Sequence, residues 1–294
     1  MIAPSVLARI PGCETGRAPQ RITTLSGGKL NKSFRVDTGA GSFVLRLNDP
    51  AGALLGANHQ RERELHRAAG IAGVAPELVY ADDAERFMIV RYVEGRTWEP
   101  ADYARPQSLR KLGALLRTLH AISAPLVAPF DLGAILRDHS VHLIAALPAE
   151  RKMLESLLMQ AENALALCAG CAREATIVHN DLYHANIIEG GRIYLIDWEY
   201  AAVADPIFDV ACVLAYYPAS ERYARDFLEA ADLADVPLPV LARARFVFMF
   251  LSFLWYRRRR LNGAVAAEDV AAEHMLLQSL NGLGSGICGA TSAD

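Results

Sequence analysis

Cysteine is scarce and unpatterned: five residues in 294, at positions 13, 168, 171, 212 and 288. A disulfide framework is thereby excluded, and a reducing cytoplasm is the expected setting. Cys168 and Cys171 form one C-x-x-C at the end of an Ala/Leu-rich helical stretch, but no second C-x-x-C or H-x-x-x-H is present to complete a zinc site. Excess charge is lacking too. Thirty Lys and Arg stand against 33 Asp and Glu, a net −3, which removes the electrostatic case for a nucleic-acid or anionic-membrane partner. No secretory signal is expected, because Arg9 and Pro11 interrupt any apolar stretch near the start. The longest apolar run, Phe246 to Tyr256, falls short of the ~20 residues that span a bilayer, so a buried helix and no membrane insertion are expected. There is no internal repeat.

What is present changes character along the chain. Arg21 to Leu25, Lys32 to Val36, Ser42 to Leu47, Leu78 to Tyr80 and Phe87 to Val93 carry apolar and β-branched residues at strand spacing, with a hairpin turn at Thr38 to Gly41. One helical stretch, Asn58 to Ala69, interrupts them and is ended by Gly70 to Pro76. Beyond residue 96 the period is almost wholly helical, as in Leu109, Leu112, Leu115, Leu116 and Leu119 on one face, and again in Leu154 to Leu167 and Val240 to Leu261. Asn281 to Asp294 is mostly Gly, Ser and Ala and reads as a mobile tail.

The most informative segment is Ile177-Val-His-Asn-Asp181-Leu-Tyr-His-Ala-Asn186-Ile-Ile188, followed by Ile193-Tyr-Leu-Ile-Asp197-Trp-Glu199-Tyr200. It sets two carboxylates and a carboxamide on tight turns between short apolar runs. One carboxylate can accept the proton of an attacking hydroxyl while the Asn oxygen and the second carboxylate ligate Mg²⁺, which is the equipment of phosphoryl transfer. The chain reads as a kinase.

His-Asn-Asp-Leu-x-x-x-Asn followed by Ile-Asp-Trp-Glu-Tyr resembles the aminoglycoside phosphotransferase and choline/ethanolamine kinase superfamily, closest to its bacterial choline-kinase-like or thiamine-kinase-like branch. The resemblance covers roughly residues 20 to 280, with its specific motifs between His179 and Asp209. It implies an α+β, protein-kinase-like two-lobed fold: a nucleotide-binding lobe over 1–93, a hinge at 94–96, a helical catalytic and substrate lobe over 97–280, and the tail over 281–294. No Ala-Pro-Glu segment follows Asp197, so a small-molecule substrate is expected in place of a protein.

The resemblance also assigns roles. Asp181 is the expected catalytic base, and Asn186 with Asp197 the expected ligands of Mg²⁺. Gly27, Gly28, Asn31, Lys32 and Ser33 look like the loop covering the phosphates of ATP. That loop is no Walker A, since no G-K-[ST] opens a helix. Arg46 stands where protein kinases carry a lysine, as in choline kinases, with Glu62 its expected helix partner and Glu64 the second choice. Adenine is expected against the hinge, at Tyr92 and Val93. His179 and Asp209, the latter in Asp205-Pro-Ile-Phe-Asp209, are expected to brace the catalytic loop.

For the acceptor, Glu199, Tyr200 and Trp255 are candidates to hold an ammonium by charge and cation–π attraction; the alternative for Trp255 is helix core. Arg257 to Arg260 reads as a solvated helix end. The expected activity is ATP-dependent phosphorylation of a small amino alcohol, choline first and ethanolamine next, with thiamine, homoserine, sugars or aminoglycosides as alternatives. A pseudokinase or nucleotide-binding regulator is the reading of another class.

Overall fold

The computed structural model describes residues 2–14, 16–25, 31–127, 130–263 and 266–287. Along the chain, α1 (Pro4–Leu7) precedes β1 (Arg21–Leu25), β2 (Lys32–Thr38), β3 (Gly41–Leu47), α2 (His59–Ile71), β4 (Leu78–Ala81), β5 (Phe87–Arg91) and β6 (Arg96–Thr97). Next come α3 (Pro106–His120), α4 (Leu132–Ala146), α5 (Arg151–Ala169), β7 (Thr176–Val178), β8 (Ile187–Glu189), β9 (Ile193–Leu195) and β10 (Ala202–Ala204). The chain closes with α6 (Ile207–Tyr216), α7 (Ala224–Ala230), α8 (Leu238–Leu261) and α9 (Ala267–Ile287). The fold is α+β and kinase-like, with its strands concentrated in the first third.

Two compact units result, one of residues 1–99, 121–127 and 181–201, the other of the rest. A cut at the hinge would assign 181–201 to the helical part. Backbone bonds assign it to the first unit instead: β8 pairs with β6, Trp98 N–H donates to the Ile187 carbonyl at 2.9 Å, and Leu195 N–H donates to the Val74 carbonyl at 2.9 Å.

The first unit is built on an antiparallel sheet in the order β1-β2-β3-β5-β4. Alternation along the strands sends Val36, Phe43, Leu45, Phe87 and Ile89 to one face, where they pack with Ile10, Val6 and Leu7. Residues opposite each other share a face, so the pairs Arg46↔Ser33, Val44↔Arg35 and Arg46↔Met88 set these side chains on the other face. Helix α2 begins where the Asn58 side chain accepts the Arg61 N–H at 2.8 Å, and Glu62 falls in its first turn, favourable to the helix dipole.

The second unit is helical around α6 and α8. Nine of the ten residues of α6 are buried, Ile207 through Ala215. Helix α8 is the one helix among the described residues long and apolar enough to cross a membrane: its most apolar 18-residue stretch has a mean hydropathy of 1.6, and 61% of that stretch is buried. It is packed against α4, α5, α6 and α9 as a core helix.

Two expectations need correction here. Arg257 to Arg260 is not a solvated end: Arg257 and Arg258 are buried. Arg257 pairs with Glu150 and Glu273, Arg258 with Asp138 at 3.0 Å, Arg259 with Asp269 at 2.8 Å and Arg260 with Glu273 at 3.3 Å. A buried guanidinium requires such partners; Glu150 and Asp138 come from 107 and 120 residues away, Asp269 and Glu273 from the next helix, α9. The expected tail also does not start at 281, where the backbone of α9 (Ala267–Ile287) still continues; residues 288–294 lie outside the described ones.

Candidate active site

Asp181 follows a backbone held in place from one side. Asn180 adopts φ 60°, a left-handed conformation that Asn tolerates better than most residues. Its N–H donates to Asp209 Oδ1 at 2.9 Å, and the His179 N–H donates to both oxygens of Asp209, at 3.0 and 3.2 Å. Asp209 is fully buried, so its carboxylate needs several donors, and His120 Nε2 at 2.9 Å supplies another. His120, the last residue of α3, escaped sequence reading. A histidine closing an amphipathic helix looks like any polar end, and its partner is 89 positions away.

The side chains of the loop form a second set of contacts. Asn186, 8% exposed, donates from Nδ2 to Asp181 Oδ2 at 2.7 Å and to the Asp181 carbonyl at 2.9 Å. That amide orientation leaves Oδ1 as the end turned to other partners. The Ile196 N–H donates to the Asn186 carbonyl at 2.9 Å, tying this turn to the one carrying Asp197, which itself adopts φ 63°.

Arg46 joins the sheet to that second turn. Its Nη2 meets Glu62 Oε2 at 2.6 Å, its Nη1 meets Asp197 Oδ1 at 3.0 Å, and its Nε donates to Asn48 at 3.0 Å. Glu64 lies instead on the outside of α2, paired with Arg63 and Arg67. His59 Nδ1 also lies 2.9 Å from Glu62. Burial works against ionisation of Glu62, but Arg46 and His59 outweigh it and hold its carboxyl down to about 2. Two further bonds dock α2 on the same segment: Asn58 N–H to the Glu199 carbonyl at 3.3 Å and Arg61 Nε to the Ala201 carbonyl at 2.7 Å.

The charges do not balance. Arg46 faces three carboxylates, Glu62, Asp197 and Glu199. Burial, reinforced by Glu62, raises Asp197 above the usual carboxylate range despite Arg46; burial and then Asp197 push Glu199 up to about 8. A divalent cation beside these oxygens would offset the excess and reverse both shifts. The donors fit Mg²⁺, which takes oxygens from a carboxylate and a carboxamide and keeps positions for water and phosphate. Among the described residues no three or more His, Cys, Asp and Glu side chains form a metal cage of their own.

The other candidates fall in varied places. Gly27 and Gly28 lie outside the described residues. Asn31 donates from Nδ2 to Glu199 Oε2 at 2.8 Å and accepts the Asp49 N–H at 3.0 Å. Lys32 is exposed at the start of β2, and Ser33 stands opposite Arg46. The Tyr92 N–H donates to the Ser42 carbonyl at 3.0 Å, so a base at the hinge would have to use other groups there, Val93 included. Glu199 is buried with Asn31 beside Asp197, and Tyr200 follows it half-buried. Trp255 belongs to the second unit, edge-on to Tyr256 at 5.0 Å, with the Arg259 guanidinium 5.4 Å above its ring.

Residues 21–247, well over half of the chain, match the phosphotransferase enzyme family, APH. This chain belongs to that family. Three solved structures show how widely the phosphotransferase fold is shared. A choline/ethanolamine kinase family protein from Mesorhizobium loti is 23% identical with a TM-score of 0.77, covering 95% of this chain and 92% of its own. The choline kinase LicA from Streptococcus pneumoniae, 19% identical, also has a TM-score of 0.77, with coverages of 92% and 96%. A thermostable mutant of the aminoglycoside phosphotransferase APH(4)-Ia is 20% identical, with a TM-score of 0.67 and coverages of 99% and 100%. By sequence, Protein LicA of Haemophilus influenzae is 41% identical over 51 residues, 17% of this chain and 19% of LicA. That match spans about a fifth of the relative.

Proposed function

We propose that this phosphotransferase moves the γ-phosphoryl group of ATP to a hydroxyl of a small amino alcohol, choline first and ethanolamine next. The observation that carries the reading is one connected set of side chains. Asp181 is bonded to Asn186, the backbone bond from Ile196 to Asn186 ties that pair to Asp197, and Asp197 meets Arg46, which is itself paired with Glu62.

In this reading Asp181 orients the acceptor hydroxyl and takes its proton as the oxygen bonds to the γ-phosphorus and the bridge to ADP breaks. Arg46, permanently charged and anchored by Glu62, attracts the phosphates. Asn186 Oδ1 and Asp197 would hold Mg²⁺, which supplies charge neutralisation on the phosphates when bound. Asp209 and His120 keep the backbone ahead of Asp181 fixed, so the base enters the reaction already aimed.

The amino-alcohol acceptor is supported by the kinds of kinase that share the fold and by the short match to LicA. Glu199 and Tyr200 are its proposed contacts; Trp255, which belongs to the second unit and carries the Arg259 guanidinium over its ring, is a candidate by itself. The aminoglycoside phosphotransferase neighbour favours a second reading, in which the hydroxyl belongs to an aminoglycoside. An ATP-consumption screen over choline, ethanolamine, thiamine, homoserine, sugars and aminoglycosides decides between them. Turnover with choline or ethanolamine is expected. Turnover with aminoglycosides alone would establish the second reading, and ATP binding without turnover on any acceptor would make the chain a nucleotide-binding regulator.

A further inference from the structure

Arg35 sits in the middle of β2, on the sheet face that carries Arg46. Side chains on that face form rows across the strands: Ser33, Arg46 and Met88, then Arg35, Val44 and Val90, then Asp37 and Ser42. Successive rows are two residues, about 7 Å, apart. The third adjoins the hinge, where the Tyr92 N–H donates to the Ser42 carbonyl. With Arg46 on the phosphates, the Arg35 row falls where the sugar and base of the nucleotide follow.

The guanidinium of Arg35 is fixed at its edges. Nε donates to Asp37 Oδ1 at 2.8 Å, Nη2 to Ser42 Oγ at 3.4 Å, and Nη1 pairs with Glu94 of the hinge at 3.4 Å. Ser42 Oγ donates to the same Asp37 oxygen at 2.6 Å, which fixes that carboxylate in turn. The guanidinium lies 4.1 Å from the centre of the Tyr92 ring, and the side chain keeps 29% exposure. Among the described residues no other ring stacks on it. A cation with its donors engaged in this way makes a poor phosphate clamp, but a flat and rigid surface for a π-system.

We propose that Arg35, laid over Tyr92, is the base-stacking residue of the nucleotide site. The inference rests on the reading of this face as nucleotide-binding. Stacking engages the π-face that every base has and reads no hydrogen-bonding edge, so Arg35 itself should not distinguish guanine from adenine.

Calorimetric titration of MgATP, MgGTP and magnesium tripolyphosphate into wild type, Arg35→Ala and Arg35→Lys tests this. Arg35→Ala should weaken both nucleotides by roughly 3- to 30-fold while tripolyphosphate stays within about twofold. Arg35→Lys, which keeps the charge and loses the plane, should not restore them. A partly folded variant lowers the binding stoichiometry and not the affinity, so misfolding is separable. Unchanged nucleotide affinity in Arg35→Ala, an equal loss for tripolyphosphate, or full rescue by lysine would each overturn the inference. Wild type that bound neither MgATP nor tripolyphosphate would sink the nucleotide reading and the inference with it.

Discussion

Asp197 holds a left-handed backbone at φ 63°, in direct contact with a guanidinium and beside two other carboxylates. A non-glycine residue in that region costs of order 1–3 kcal/mol, less for Asp and Asn, and such strain persists where the surroundings enforce it. Removing the carboxylate should therefore do more than relieve crowding. Asp197→Ala is expected to weaken MgATP binding and turnover together, because it strips the proposed carboxylate ligand; unchanged MgATP affinity with persisting turnover would refute the metal assignment. Glu62 gives a pH signature. Its carboxyl titrates at about 2 in the folded chain against an ordinary 4.5, so the folded state binds fewer protons between those values. Its stabilising contribution is complete above about 4.5 and is lost as the pH falls towards 2. Urea unfolding across this range should show a flatter acid limb for Glu62→Gln than for wild type, and an equally steep one would contradict the pairing with Arg46. At this scale much of the site could be read from sequence. Asp181, Asn186 and Asp197 announce themselves within 17 residues, and the family resemblance pointed Arg46 to Glu62. The bond between Asn31 and Glu199 could not be foreseen, because 168 residues separate them.

The elements around the hinge meet backbone to backbone. A Cβ on Gly190 would run into the Glu94 carbonyl oxygen, and one on Gly95 would come 2.7 Å from that of Glu189. The Trp98 indole N–H and Arg96 both donate to Glu189 Oε2 at 3.0 Å, so β6 and β8 are joined by side chains as well as by their ladder. Gly190→Ala should thus push the hinge off the β8–β9 hairpin and lower stability by about 1–3 kcal/mol. Gly191→Ala, with nothing within 4 Å of its Cβ, is the control and should change stability by less than ~0.5 kcal/mol. Equal denaturation midpoints for the two variants would show that the hinge is not clamped. Strands β1 to β5 and helices α2, α3, α5 and α8 were legible from alternation and helical period, with ends shifted by a few residues. Helices α4, α6 and α7 were not. α6 is buried on all sides and so shows no amphipathic stripe, while α9 runs on to Ile287 through residues whose small side chains give no helical period.

For the whole molecule, sequence reading found a kinase-like α+β chain of the phosphotransferase enzyme family. It did not foresee that residues 181–201 join the sheet unit, since that depends on backbone bonds from Leu195 to Val74 and from Trp98 to Ile187, to which side-chain identity contributes little. That grouping is what sets Asp181, Asn186, Asp197, Arg46 and Glu62 in one compact body. The proposed transfer chemistry then hangs on a single proton acceptor. Radiolabelled γ-phosphate followed from ATP to choline, in wild type and in Asp181→Asn, is its most direct measurement, with MgATP affinity titrated for both proteins. Wild type should form phosphocholine, and Asp181→Asn should do so ~10²–10⁴-fold more slowly while still binding MgATP. Phosphocholine formation by Asp181→Asn at close to the wild-type rate would contradict Asp181 as the base.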